Sequence, residues 1–126
     1  MAEAELREFL DEAGEHVETI QQCLLGLETA DDDLKNRLFR AAHSIKGAAG
    51  MVGLTRTQNL THAFEEVLDN IRGGKLTANQ DLIDVLFAAA DCLTAMIAAI
   101  AGGEGEAVDT EDATAALKSL LPAKDA

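Results

Sequence analysis

Tryptophan and tyrosine are absent from this 126-residue chain, proline occurs once, and ten Lys and Arg side chains stand against 23 Asp and Glu. With one proline there is almost nothing to break a helix, and with 48% hydrophobic residues there is enough apolar surface for a core, so a compact, mostly helical domain is expected rather than disorder. The shortage of basic side chains leaves a net charge of −13, which argues against nucleic acid or insertion into an anionic membrane. There are only two cysteines, Cys23 and Cys92, each inside an apolar helical pattern. They read as reduced core residues and not as a disulfide or a metal site. The amino terminus, MAEAELREFLDEAGEH, has no apolar run behind a basic start; a secretory signal is not expected, and the cytoplasm is the default compartment. No internal repeat, strand pattern or glycine-rich nucleotide motif is visible.

What is present is helical periodicity. Leu6, Phe9, Leu10, Ala13, Val17, Ile20, Leu24 and Leu27 recur at three-to-four spacing and predict one long amphipathic helix over residues 3–29. Asp31, Asp32 and Asp33 supply a turn and an N-cap for a second helix, whose apolar stripe is Leu34, Leu38, Ala41, Ile45, Ala48 and Val52 and whose terminator is Gly53. A third helix is expected from Thr55 to Arg72, with Leu60, Phe64, Val67, Leu68 and Ile71 on its apolar face and Gly73 and Gly74 closing it. The fourth begins near Asn79 or Asp81 and runs to Ala101. Its stretch VLFAAADCLTAMIAAIA approaches the length of a membrane span, but Asp91 at mid-segment and the lack of a basic flank favour a helix buried in a bundle. GGEGE at 102–106 reads as a flexible break, after which Asp109 or Thr110 caps a short fifth helix ending near Leu121. The expectation is an all-α, up-down-up-down four-helix bundle over 1–101, a linker at 102–109, a fifth helix at 110–122 and a tail at 123–126.

Charge and glycine single out one region. Between Asp33 and Arg56 five basic residues meet one acidic residue, a local +4 on a chain whose remainder sums to −17. Such an island suits an anion or an acidic partner pocket. In the same region FRAAHSIKGAAGMVGL, residues 39–54, places three glycines after good helix sequence. Each glycine inside a helix costs up to about 1 kcal/mol relative to alanine. At 100° per residue the core stripe of the second helix lies almost opposite His43, which therefore faces outward with Asn36, Phe39, Arg40, Lys46, Gly47 and Gly50. Gly47 and Gly50 strip side chains from the surface beside the imidazole, so that another macromolecule's backbone can come close. Lys46 lies one turn away. A neutral imidazole is a good nucleophile near pH 7, and an ammonium can neutralise charge on a passing phosphoryl group. A carboxylate accepting from Nδ1–H would leave Nε2 to attack; the third helix offers Glu65, with Glu66 and Asp69 as rivals, and His62 nearby.

The pattern AHSIKGAAGMVGL resembles the histidine-containing phosphotransfer (HPt) domain. More narrowly, FRAAHSIKGAAG followed by THAFEEVLDNIRGGKL is similar to the amino-terminal phosphotransfer domain of CheA-type chemotaxis histidine kinases. The likeness covers residues 5–100 in helix pattern and is most specific over 39–76. It implies that His43 carries a phosphoryl group, that Glu65 hydrogen-bonds its imidazole, that Lys46 and His62 assist, and that Gly47 leaves room for the partner. Ala48 stands where glycine is common in the family, and Leu54 where an aromatic is common. It further implies a phosphoryl supply from a kinase's ATP-binding domain, in cis or in trans, and onward transfer to an aspartate of a CheY-like or CheB-like response-regulator receiver. ATP and magnesium would belong to the kinase and magnesium also to the receiver, with no cofactor on this domain; chemoreceptor clusters are the implied location. The docking face would include Phe39, Arg40, Gly47 and Gly50.

Two other readings compete. A lone surface histidine is ordinarily incidental, as His16 is on the first helix, and a non-catalytic helical adaptor is the alternative. A metal centre built from His43, His62 and Glu65 is disfavoured, because His43 projects outward and three ligands on two helices fall short of a structural zinc set.

Overall fold

The structure, a computed structural model, describes residues 3–122; residues 1 and 2 and the expected tail at 123–126 lie outside the described residues. Five α-helices follow in order: α1 (Glu3–Leu25), α2 (Asp32–Met51), α3 (Thr55–Arg72), α4 (Gln80–Ala101) and α5 (Glu111–Leu120). Among the described residues there is no strand. The first helix stops short of the expected residue 29. Gly26 donates to the Cys23 carbonyl, and Leu27–Thr29 tighten into a 3-10 turn that still sinks Leu27 into the core. Side-chain caps then start two helices. Asp31 accepts from the Leu34 amide at 2.9 Å, and Asn79 accepts from the Leu82 amide at 2.9 Å.

Short connections reverse the chain after each of the first three helices. One apolar cluster collects Phe9 and Ala13 from the start of α1, Ala49 from the end of α2, Leu54 just before α3, and Met96 and Ile100 from the end of α4. Starts and ends meet at the same pole only if successive helices alternate in direction, which is the up-down-up-down arrangement. The larger cluster fills the remainder of the bundle with Ile20, Leu24, Leu38, Ile45, Phe64, Val67, Leu86 and Leu93, and includes Leu117 of α5. The near-span-length α4 contributes eight buried residues, from Leu82 to Ile100, to these clusters.

α2 packs against both α1 and α3, most extensively against α3. Its buried residues are Leu38, Ala41, Ala42, Ile45 and Ala49, whereas Ala48 and Val52 of the expected stripe are only partly buried. The buried arc is thus turned toward α3 relative to the sequence stripe. This turn carries Lys46 and Gly50 to the α3 edge and leaves His43 and Gly47 on the open face.

α3 has no side-chain cap from its own N-terminal residues. Glu106, in the segment between α4 and α5, supplies one: its Oε2 accepts from the Thr57 amide at 2.6 Å and from the Thr57 hydroxyl at 2.9 Å. A carboxylate at a helix N-terminus is favoured both by the free amides and by the helix dipole. Arg56 adds hydrogen bonds from Nη1 to the carbonyls of Glu106 and Val108. The linker expected at 102–109 is therefore tied to α3 at Glu106 and Val108.

α2 ends as Gly53 takes φ +75°, the Leu54 amide reaching back to the Ala49 carbonyl at 2.9 Å. Gly47, by contrast, is an exposed helix-interior residue whose added Cβ would meet nothing within 4 Å. The two glycines should respond oppositely to alanine. Gly53→Ala is expected to destabilise the fold by about 1–2 kcal/mol. Gly47→Ala is expected to stabilise it by about 0.5–1 kcal/mol. Denaturant unfolding of both variants checks this, and a destabilised Gly47→Ala would show that Gly47 serves packing.

Candidate functional site

His43 lies in the middle of α2 with its side chain 60% exposed. Across the α2–α3 seam, Glu65 projects from α3 with only 11% of its side chain exposed. Its two oxygens are used separately: Oε2 lies 2.6 Å from His43 Nδ1, and Oε1 accepts from Lys46 Nζ at 2.8 Å. Burial pushes the Glu65 carboxyl up, but the hydrogen bonds from Lys46 and His43, together with their charges, outweigh it and hold the group below its ordinary value of 4.5. Glu65 is therefore ionised at neutral pH and can only accept. A neutral His43 ring beside it must carry its proton on Nδ1, which leaves the lone pair on Nε2, at the other side of the ring, free for nucleophilic attack.

The rival carboxylates are engaged elsewhere. Glu66 Oε1 lies 3.2 Å from His62 Nε2, and Asp69 Oδ1 accepts from Arg72 Nη2 at 2.9 Å. His62 is not brought to the His43 ring. Residues three apart on a helix differ by about 60° in direction, so with Glu65 aimed at α2, His62 turns away from it. It lines an open cleft of about 980 Å³ between α3 and α5, with Arg56, Asn59, Glu111 and Lys118 among its walls, and takes no part in the hydrogen bonding of His43. Lys46 is also placed differently from a simple charge beside a phosphoryl group: it is three-quarters buried and neutralises Glu65.

On the open face Gly47 leaves clear space beside the imidazole, and Arg40 is exposed. Gly50 lies at the α3 edge of this face. A Cβ there would come within 2.6 Å of Gln58 Nε2, so this glycine also accommodates a side chain of α3. Phe39 is partly buried and stacks on the His43 ring, with centroids 6.0 Å apart and planes 13° from parallel. Its position one turn before His43 made a contact legible in the sequence. The guanidinium of Arg72, 3.8 Å from the Phe39 centroid, had no comparable signal, because it arrives from another helix.

The family model described as the Hpt domain matches residues 5–103. The chain belongs to the Hpt family. Among curated relatives of this Hpt domain, the chemotaxis protein CheA of Treponema pallidum is 38% identical over 120 residues; the alignment covers 94% of this chain and 15% of the relative. The chain thus spans about a seventh of that protein's length. The solution structure of the histidine phosphotransfer domain of CheA is 31% identical, with a TM-score of 0.85 over 100% of this chain and 98% of its own. The phosphorylated P1 domain of CheA3 from R. sphaeroides, solved in complex with CheY6, shares the fold at 23% identity, with a TM-score of 0.83 over 94% of this chain and 95% of its own.

Removing the acceptor charge tests the Hpt site geometry directly. In Glu65→Gln, two-bond proton–nitrogen correlations of the His43 ring should show the Nδ1–H tautomer losing its dominance. Acid stability should change as well. A carboxyl held below its ordinary pKa contributes stability that is complete above 4.5 and is lost as pH falls through the lowered value. The native chain should therefore lose stability as pH falls below 4.5 through the lowered value, and Glu65→Gln should lack that portion of the loss. Denaturant midpoints measured through this range decide it; parallel profiles would show that the pairing carries no linkage.

Proposed function

We propose that this Hpt domain is the phosphotransfer module of a CheA-type chemotaxis kinase, with His43 as the phosphoryl carrier. The observation that carries the reading is the ionised Glu65 holding Nδ1–H of an otherwise exposed imidazole, beside a face cleared by Gly47. The Nε2 lone pair attacks the γ-phosphorus of ATP held by a kinase domain, the phosphoanhydride bond breaks toward ADP, and a nitrogen–phosphorus bond forms. The Nδ1 proton stays shared with Glu65, which supports the positive charge growing on the ring. In the second step a receiver aspartate oxygen attacks phosphorus and the bonding pair returns to Nε2.

Magnesium is assigned to the kinase and the receiver, and this domain is assigned no cofactor. The partners are an ATP-binding kinase domain, in cis or in trans, and a CheY-like or CheB-like receiver, consistent with the related P1 domain that was solved phosphorylated and bound to CheY6. The module works in the cytoplasm, at chemoreceptor clusters. Lys46 keeps Glu65 ionised and so supports the Nδ1–H tautomer of His43. A receiver seats over Arg40, Gly47 and the neighbouring surface of α2, where the backbone is open to close approach.

His43→Gln should abolish labelling by a kinase domain and ATP while leaving helical content unchanged; label retained at His16 or His62 would sink the assignment. Glu65→Gln should slow phosphorylation on the order of 10-fold or more, the scale on which a lost orienting partner acts on a histidine, and should slow transfer to the receiver less. The docking face is tested at Gly47 rather than Gly50, since Gln58 crowds the latter. Gly47→Leu should leave the melting temperature unchanged or raised and yet retard transfer to the receiver. Transfer at the native rate would mean that the receiver seats elsewhere.

A further inference from the structure

Glu65 fixes the direction of His43 Nδ1, but the imidazole can still tilt within that hydrogen bond through small coupled changes of χ1 and χ2. A contact on the face of the ring narrows that tilt. Phe39 lies four residues earlier on α2, within 13° of parallel to the imidazole and 6.0 Å from it between centroids, a separation proper to offset aromatic pairs. The Phe39 ring is held in its turn. It packs on the main core cluster, and the Arg72 guanidinium sits 3.8 Å from its centroid in a cation–π contact. Arg72 comes from the last turn of α3 and is itself tethered, Nη2 donating to Asp69 Oδ1 at 2.9 Å. A chain of contacts therefore runs from Asp69 through Arg72 and Phe39 to His43, so that α3 holds the imidazole twice, once at Nδ1 and once through its stacked face.

We propose that Phe39 and Arg72 are positioning residues for His43, setting the plane of the imidazole so that the Nε2 lone pair points along the line of attack. Arg72 acts on the ring through Phe39 and not on the phosphoryl group, because its charge is already shared between the Phe39 face and Asp69. The proposal rests on the reading of His43 as the phosphoryl acceptor. Formation of the nitrogen–phosphorus bond, with the phosphoanhydride bond breaking toward ADP and the Nδ1 proton remaining with Glu65, demands alignment of the Nε2 lone pair with phosphorus. A tilted ring loses that alignment without losing affinity for the kinase. This assigns Phe39 a role distinct from apolar docking.

The test uses Arg72→Gln, which alters a side chain 36% exposed and leaves Phe39 in place, together with Phe39→Leu and the conservative Phe39→Tyr. In the unphosphorylated chain the His43 ring protons feel the ring current of Phe39. Their NMR resonances should move in Arg72→Gln and in Phe39→Leu and should be largely restored in Phe39→Tyr. With a kinase domain and ATP, kcat for phosphorylation should fall on the order of 10-fold in Phe39→Leu and by a smaller factor in Arg72→Gln, with KM for the domain unchanged. Unmoved ring resonances in a chain that still becomes labelled would overturn this inference alone. So would a rise in KM at constant kcat, which would identify Phe39 as a docking contact. A native chain that takes no label from any chemotaxis kinase domain would overturn the phosphoacceptor reading and this inference with it.

Discussion

A carboxylate almost buried in a helix seam is the constraint around which this protein is organised. Glu65 has lost nearly all its water, a cost that is tolerable only because both oxygens are occupied, one by Lys46 and one by His43. The arrangement is directional. Lys46 supplies charge that keeps the carboxylate ionised, and the ionised carboxylate in turn keeps the proton on Nδ1 of the histidine. Removing any one of the three changes the protonation logic of the other two. That interdependence separates this histidine from His62, which is comparably exposed but merely pairs with the next turn of its own helix.

The scaffold earns its regularity from the need to hold α2 and α3 in one register. Small residues, Ala42 and Ala49 among them, are fully buried along α2 and let its backbone lie close to its neighbours. The same rotation that buries them brings Lys46 to the seam and leaves His43 outside it. α3 is secured at both ends: Glu106 from the α4–α5 segment caps its first turn, and Arg72 in its last turn reaches over Phe39 of α2. α5, packed on α3 and α4 through the buried Leu117, thereby contributes to the placing of Glu65 although it touches nothing at the site. Stability and function part company at Gly47, where a residue unfavourable for helix stands on an open surface with no packing reason for its presence.

Most of the architecture was legible in the chain because it rests on local physics. Apolar spacing and cap chemistry act within a few residues, so the limits of α3, an N-cap within Asp31–Asp33, a fourth-helix start at Asn79 or Asp81 and the Gly53 terminator could be read directly. The outward direction of His43 was legible for the same reason, since it follows from helix geometry and the position of the apolar stripe. The likeness of residues 39–76 to the phosphotransfer family singled out Glu65 where geometry by itself left three carboxylates in contention.

Periodicity, charge pattern and motif spacing in the amino-acid sequence were sufficient to determine an all-α bundle, an exposed histidine and the class of chemistry suited to it. The tertiary structure alone decided that Lys46 neutralises Glu65, that His62 turns toward α5, that Gln58 crowds Gly50, and that Arg72 caps the Phe39 ring. Each of these depends on the rotation of one helix about its axis relative to another. A modest rotation leaves the hydrophobic pattern satisfied but moves a long polar side chain from one neighbour to the next, so burial patterns constrain it weakly and only the packed structure resolves it.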